Sequence, residues 1–148
     1  MVRRSRALGI ALVAALSSQL SAVDWTEYRG PDNTGATSER VSTSFPAGGP
    51  KLKWKVPSPN GYSSFVVAGG RCFTQELRSI ENTDQEVLVA RDAETGEETW
   101  VKPLGTMKIN DGGQSGTKDN SGGDGPRSTP ATDGRHVWTF SARLVLQC

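Results

Sequence analysis

The stretch ARDAETGEETW, residues 90–100, places a turn-forming Asp, a Gly and a Trp at four-residue spacing. The Asp92 carboxylate can accept hydrogen bonds from the backbone N–H groups that follow it, and Gly96 can adopt the left-handed conformation without steric cost. Trp100 then falls on the outgoing strand of a β-prone run that covers residues 86–104. The spacing therefore predicts a β-hairpin with its corner between Asp92 and Gly96.

Two further hairpins are predicted from β-prone runs on either side of glycine. SSFVVAGGRCFTQ, residues 63–75, would turn at Gly69, and RSTPATDGRHVWTFSA, residues 127–142, would turn near Gly134. Placed over one another at an offset of 65 residues, the two segments match in their turn glycine, in one aromatic residue and in their hydroxyl residues. The match indicates an internal repeat.

Two shorter runs carry weaker strand signals. LKWKV, residues 52–56, alternates apolar and polar side chains, which predicts a half-buried strand. LVLQC, residues 144–148, follows the second hairpin and would begin a third strand of the second copy. Together with abundant glycine and no long apolar periodic run, these signals favour many short strands joined by turns.

The first residues have the pattern of an export signal. A basic head that contains Arg3 and Arg4 precedes an apolar run over residues 7–16, and small or polar residues lead to a cut after Ala22. The apolar run is much shorter than the ~20 residues that span a bilayer. We therefore expect a signal peptide at 1–22, a periplasmic or extracellular protein, and no transmembrane span after its removal.

Charge excludes one class of partner. Removing the signal peptide takes away three of the 17 Lys and Arg and none of the 16 Asp and Glu, which leaves 14 basic against 16 acidic side chains. A formal charge of −2 spread between turns does not form a polyanion-binding patch. No nucleic-acid partner is expected.

Cysteine, histidine and acidic residues give no clear metal or redox site. An exported protein could form a disulfide, but pairing cannot be inferred from two cysteines 76 positions apart, and Cys72 and Cys148 are expected to be unpaired packing residues. His136 lacks partners at ligand spacing. The glycine-rich stretch 105–125 contains three Asp, but their spacing fails the EF-hand order. A flexible surface loop is the favoured interpretation of that stretch.

Four segments resemble the pyrroloquinoline-quinone (PQQ) repeat family of β-propellers, also described as quinoprotein alcohol dehydrogenase-like. They are DWTEYRGPDNTG near the mature start, GYSSFVVAGGRCFTQ, the pattern Ala-x-Asp-x-x-x-Gly-x-x-x-Trp formed by residues 90–100, and GDGPRSTP, residues 123–130. The resemblance implies an all-β fold, a partial β-propeller of four-stranded antiparallel blades. One full blade and most of a second would occupy residues 52–148, after an N-terminal extended segment at 23–51.

The resemblance also assigns structural roles. In this family a docking Trp packs between adjacent blades, with its ring against the Gly-containing corner of a neighbour, and the pattern places Ala90, Asp92, Gly96 and Trp100 in such a docking motif. Arg127, in GPRSTP, would line the mouth of the propeller or brace a turn. No catalytic residue or metal ligand is assigned by the matching segments.

Three functional hypotheses follow. The first is a secreted propeller segment that acts as a non-catalytic binding or scaffold module or is a truncated product. Its partners would be other proteins or the remaining propeller blades. It requires no cofactor. The second is a fragment of a PQQ-dependent alcohol or sugar dehydrogenase, which would use PQQ and Ca²⁺ only as part of a complete quinoprotein. The third is an inactive remnant.

Overall fold

The computed structural model describes residues 23–106 and 125–148, and all regular structure in these two ranges is β. The strands form two antiparallel sheets, one in the order β1-β2-β3-β4 and one in the order β5-β6-β7. Their bounds are β1 Val66–Ala68, β2 Arg71–Ile80, β3 Thr83–Asp92, β4 Glu98–Thr106, β5 Ala131–Thr132, β6 Val137–Phe140 and β7 Leu146–Gln147. The predicted all-β class is confirmed, whereas the predicted signal peptide and most of the glycine-rich loop lie outside the described residues.

All three predicted hairpins are present, and so is the third strand of the second sheet. β1 and β2 turn at Gly69 and Gly70, both with positive φ, and β3 and β4 are joined across residues 93–97. β5 and β6 are joined across residues 133–136, and β7 pairs antiparallel with β6. Turn chemistry predicted the three hairpin corners, whereas β7 was predicted from the strand-like run at 144–148 alone.

The longest pairing joins β2 to β3, as the expected four-stranded antiparallel arrangement requires, although sequence analysis did not identify the turn between them. Both strands have ten residues and pair along their whole length, from Arg71 opposite Asp92 to Ile80 opposite Thr83. The loop has only two residues, 81–82, with φ values of 51° and 59°. A two-residue hairpin turn requires positive φ at both of its central positions if its twist is to match that of the strands. β2 and β3 thereby join the two predicted strand pairs into one four-stranded sheet.

The core lies between the two sheets. Alternate residues of the first sheet share the face that meets the second, because side chains alternate across a strand. Its buried apolar members are Val66, Phe73, Leu88, Ala90 and Leu104, against which Val137 of the second sheet packs. Burying each large side chain of this kind contributes roughly 1.5–3 kcal/mol. These side chains hold the sheets face to face.

Three polar contacts cross the same interface. Gln75 Nε2 donates to Phe140 O at 3.2 Å, and Gln147 Nε2 donates to Leu104 O at 2.7 Å. Ala142 N–H donates to the Glu86 carboxylate at 2.7 Å. Since buried polar groups must be paired, these bonds fix the relative position of the sheets more narrowly than apolar contact alone.

The N-terminal segment is attached to the first strand of each sheet. Trp25 and Val67 exchange two backbone hydrogen bonds of 2.7 and 2.8 Å, which forms an isolated antiparallel bridge to β1. Thr132 N–H, in β5, donates to Thr26 O at 2.9 Å. The segment therefore ties together the two strands, β1 and β5, that lie closest to one another across the interface.

The predicted strand at 52–56 is wrong. The segment has no strand partner in the described structure, because side-chain contacts hold it across the β3–β4 corner instead. Trp54 bonds to the corner through its indole, and Lys53 forms an ion pair with Glu94. Pro57 and Pro59 follow, and neither has the N–H that would extend a ladder.

Candidate functional site

The β3–β4 corner is held by Asp92. Its Oδ1 accepts hydrogen bonds from the N–H groups of Glu94 and Thr95, each at 2.8 Å, and these bonds lower the pKa of the Asp92 carboxyl. Gly96 has a φ of 76° and donates its N–H to Asp92 O at 2.9 Å. The corner is therefore a tight loop in which Asp92 accepts the N–H groups of residues 94–96.

A tryptophan lies on this corner, and it is Trp54. A Cβ added at Gly96 would lie 2.6 Å from Trp54 Cδ2, so the indole occupies the space that a side chain at position 96 would need. Trp54 Nε1 donates to Ala93 O at 3.0 Å, which satisfies the indole N–H. Sequence reasoning missed Trp54, because a corner glycine creates a flat surface for a ring without indicating which tryptophan covers it.

Trp100 occupies a different position. It pairs with Ala90 in the β3–β4 register, and its ring centroid lies 5.9 Å from that of Phe73, with the planes at 43°. The residue is on the face that meets the second sheet, yet 38% of it remains exposed. The predicted docking residues therefore do not lie at one place. Asp92 and Gly96 form the corner that Trp54 covers, whereas Trp100 borders an open space between the sheets.

That space is a cleft of about 550 Å³ between the outer part of the first sheet and the second hairpin. Its apolar surface comes from Leu88, Trp100 and Val137, and positively charged or ionisable side chains stand at its edge: Lys102, Arg135 and His136. Cys148, which directly follows β7, also lines it. Sequence analysis did not foresee this cleft, because its walls come from two sheets whose packing is not encoded locally.

Arg127 lies near the beginning of the second sheet, beside the chain that leads into β1. Its guanidinium is 4.4 Å from the centroid of the Tyr62 ring, a cation–π distance, and Arg127 is exposed. Tyr62 N–H donates to Pro126 O at 2.7 Å, and Ser64 N–H donates to Thr129 Oγ1 at 3.2 Å. The segments that precede β1 and β5 therefore run side by side, with Arg127 at their outer surface.

The opposite face of the first sheet carries an ion-pair network. Arg78 bonds to Glu76 Oε2 and Glu98 Oε2, both at 2.7 Å, and Arg91 lies 3.3 Å from Glu98 and 3.6 Å from Glu76. The hydrogen bond from Arg78 lowers the pKa of Glu98, and the same bond raises the pKa of Arg78. Because Glu76 is only 3% exposed, the network compensates a buried charge rather than offering it to a ligand.

The remaining candidate residues are also engaged locally or isolated. His136 Nδ1 lies 3.1 Å from Asp133 Oδ2, and Asp133 also accepts the N–H groups of Arg135 and His136, which holds the pKa of its carboxyl well below the usual range. Cys72 and Cys148 are free thiols; Cys72 is buried as expected, but Cys148 is exposed, so the packing role expected of Cys148 is wrong. Within residues 23–106 and 125–148, no three His, Cys, Asp or Glu side chains are grouped to hold a metal ion.

The structure defines an all-β protein with two antiparallel sheets packed face to face. Comparisons with family models, curated proteins and solved structures found no match to this chain. In the described ranges, no helix is long and apolar enough to cross a membrane.

Proposed function

We propose that this chain is a secreted PQQ-like β-propeller segment that serves as a non-catalytic binding or scaffold module, with its two sheets as neighbouring blades. The observation that carries the proposal is a pair of contacts at the repeat offset. Ser64 bonds to Thr129 and Gln75 bonds to Phe140, and each pair is separated by 65 residues. Contacts between equivalent positions are expected where successive copies of a repeat stack side by side.

The Trp54–Gly96 contact supports the same proposal. A large ring that covers a left-handed corner glycine, with its N–H bonded to the corner backbone, is the arrangement that the family resemblance implies between adjacent blades. Trp54 belongs to neither of the two sheets, so this contact supports the family resemblance rather than the pairing of these two sheets as blades. In addition, β1 and β5, the first strands of the two sheets, lie close to one another, as corresponding strands of neighbouring blades would in a radial array.

Binding is favoured over acid–base chemistry by the engagement of the buried acids. Glu76 is bonded to Arg78 and close to Arg91, and Glu86 accepts the Ala142 N–H between the sheets. A carboxylate that acts as a general base must lie within hydrogen-bond reach of a substrate proton. By contrast, the Trp100 cleft presents an accessible apolar surface of the kind that ligands and partners bind.

The proposal is tested with the full chain, PQQ and Ca²⁺. We expect no saturable change in quinone absorbance and no dye-linked oxidation of alcohols or sugars. The Trp54–Gly96 contact is tested by NMR: the Gly96 signals should show a ring-current shift that disappears in Trp54→Leu. Saturable quinone binding with alcohol turnover would overturn the non-catalytic proposal, and an unshifted Gly96 would remove the supporting contact at the corner.

A further inference from the structure

We infer that hydrolysis of the peptide bond after Ala22 gives Val23 an α-ammonium group, and that the Glu39 carboxylate pairs with this new terminus. The inference rests on the secretion that belongs to the proposed function, and it names the processing site and the residue that receives the mature end of the chain. Three observations carry it: a hydrogen bond, the charge of a pocket and the anchorage of the residues that follow the cut.

The hydrogen bond joins Val23 to Glu39 across 16 positions of the sequence. Val23 N donates to Glu39 Oε1 at 2.5 Å, and neither residue belongs to a strand whose pairing would bring the two together. Among the described residues, no Lys, Arg or His side chain forms an ion pair with Glu39. The carboxylate is therefore directed at the nitrogen that becomes a cation when the preceding bond is cut.

The surrounding pocket has an excess of negative charge. Its volume is about 200 Å³, and the described residues that line it include Asp32 and Glu39 but no Lys, Arg or His. Arg29, from the same segment, instead donates to Thr34 O at 3.2 Å. A peptide N–H offers this pocket one neutral donor, whereas an ammonium group offers three donors and a positive charge. Charge complementarity therefore favours the ammonium form.

The residues that follow the cut are fixed to the first sheet. Asp24 accepts the Gly69 N–H at 3.3 Å, and Trp25 forms the two backbone hydrogen bonds of its bridge to β1. Because these contacts begin directly after Val23, the new terminus has little freedom to move away from Glu39.

The next part of the chain folds back toward the same terminus. Gly35 N–H donates to Arg29 O at 2.8 Å, which closes a turn. A Cβ added at Gly30 would lie 2.8 Å from carbon atoms of the Trp25 ring, so this turn packs against the indole. The turn returns the chain to its own beginning, where Glu39 makes the closing contact.

The cut itself is a hydrolysis. Ala22 is a small residue that follows an apolar run, as signal peptidases require of the bond that they cleave. One water is consumed: its oxygen joins the Ala22 carbonyl carbon, the bond from that carbon to the Val23 nitrogen breaks, and both protons of the water pass to the nitrogen. The products are a carboxylate on residues 1–22 and an ammonium on Val23, the main form at pH 7 of a group that ordinarily titrates at about 7.7–8.0.

The processing site is tested by expressing the full chain in a host that exports proteins. We expect the exported product to begin at Val23, as measured by its intact mass and by the mass of its N-terminal peptide.

The pairing is tested by the reactivity of the new α-amino group toward an acylating reagent at pH 7. Only the unprotonated amine reacts, and a neighbouring carboxylate stabilises the protonated form. Glu39→Gln should therefore accelerate acylation of Val23 by roughly threefold or more, as measured by mass spectrometry of the N-terminal peptide. Glu97→Gln, which makes the same change in charge at an exposed turn position, should react as the native chain does.

Asp32→Asn separates direct pairing from the general field of the pocket. The hydrogen bond from Val23 goes to Glu39 rather than to Asp32, so Asp32→Asn should accelerate acylation less than Glu39→Gln. Both altered side chains are exposed, and thermal melts will check that the variants fold. Equal acceleration in the two variants would assign the effect to the pocket as a whole and overturn the pairing with Glu39.

The remaining outcomes distinguish this inference from the proposed function. An exported protein that begins at another residue, or a Glu39→Gln rate equal to the native rate, would overturn the inference and leave secretion intact. Recovery of the chain from the exporting host with residues 1–22 still attached would overturn both. Quinone turnover would instead overturn the non-catalytic proposal and leave the processing site unchanged.

Discussion

Trp54 lies flat against Gly96, so closely that a methyl group on that glycine would overlap the indole ring. Glycine is therefore required at position 96 for two reasons: its φ is 76°, and the indole occupies the space that a side chain would need. The same contact anchors residues 51–56, which have no strand of their own, to the first sheet.

Gly96→Ala is expected to destabilise the protein by about 3 kcal/mol, because the left-handed backbone costs about 1 kcal/mol and displacement of the indole adds the rest. Gly134→Ala is the matched control. Gly134 also has positive φ, 85°, but nothing lies within 4 Å of its added Cβ, so only the backbone cost of about 1 kcal/mol should appear.

Chemical denaturation measures both variants, and a cycle with Trp54→Ala separates the two contributions. With the indole removed, the cost of Gly96→Ala should fall to that of Gly134→Ala. Equal losses for the two glycine variants in the native background would contradict the close contact.

Arg78→Met should cost about 2 kcal/mol, because it leaves the buried Glu76 carboxylate with Arg91, which is more distant, as its charged partner. Replacing Glu76 and Arg78 together by Met should restore most of that stability, since no uncompensated charge then remains at the pair. Lys53→Met, which breaks the exposed Lys53–Glu94 pair, should cost less than about 1 kcal/mol. Similar losses of stability for Arg78→Met and Lys53→Met would show that burial does not determine how much these ion pairs contribute to stability.

Glu86→Gln should change how stability depends on pH. Burial between the sheets raises the pKa of Glu86, although the Ala142 N–H partly opposes this effect. A raised folded pKa means that the contribution of Glu86 is fully present below its unfolded pKa, about 4.3, and is lost as pH rises through the folded value.

The glutamine variant retains an acceptor for Ala142 but does not titrate. Its stability relative to the native chain should therefore increase from about pH 4 to pH 7, as measured by urea denaturation at each pH. Glu97→Gln, at an exposed turn position, serves as the control. A relative stability that is constant with pH would be inconsistent with a buried, ionising Glu86.

The two thiols should differ sharply in reactivity. Cys148 is exposed, whereas Cys72 is buried in β2, and its burial raises the pKa of the thiol. One thiol per native chain should therefore react quickly with a disulfide reagent, and the second only on unfolding. Cys148→Ser should remove the fast phase. A fast phase that persists in that variant would mean that Cys72 is accessible.

Local turn chemistry explains how much of this fold was predictable. Asp92, Gly96 and the Gly69–Gly70 pair specify their corners through φ and nearby hydrogen bonds, so hairpin positions followed from a few adjacent residues. The wrong prediction of a strand at 52–56 arose because a tertiary contact, rather than local residues, determines the conformation there. Alternation indicates a strand only if an edge is available for pairing, and here Trp54 bonds to a corner instead.

The candidate site was less predictable than the strands. The resemblance implied a docking role for residues 90–100 with Trp100 as the ring, but the residue that covers Gly96 comes from 42 positions earlier in the chain (96 minus 54). The cleft depends on the distance between two sheets, and Lys102 and Arg135 line the same cleft only because those sheets pack together. Such relationships arise from tertiary structure and leave no short sequence pattern.

The two-residue loop at 81–82 also has a kinetic consequence. It lets β2 and β3 meet at almost no loop-closure cost, so these ten-residue strands should pair early during folding. The second sheet, whose strands have two to four residues, should gain protection from amide exchange only after it docks on the preformed hairpin. The β2–β3 ribbon is then the template on which the rest of the chain is ordered.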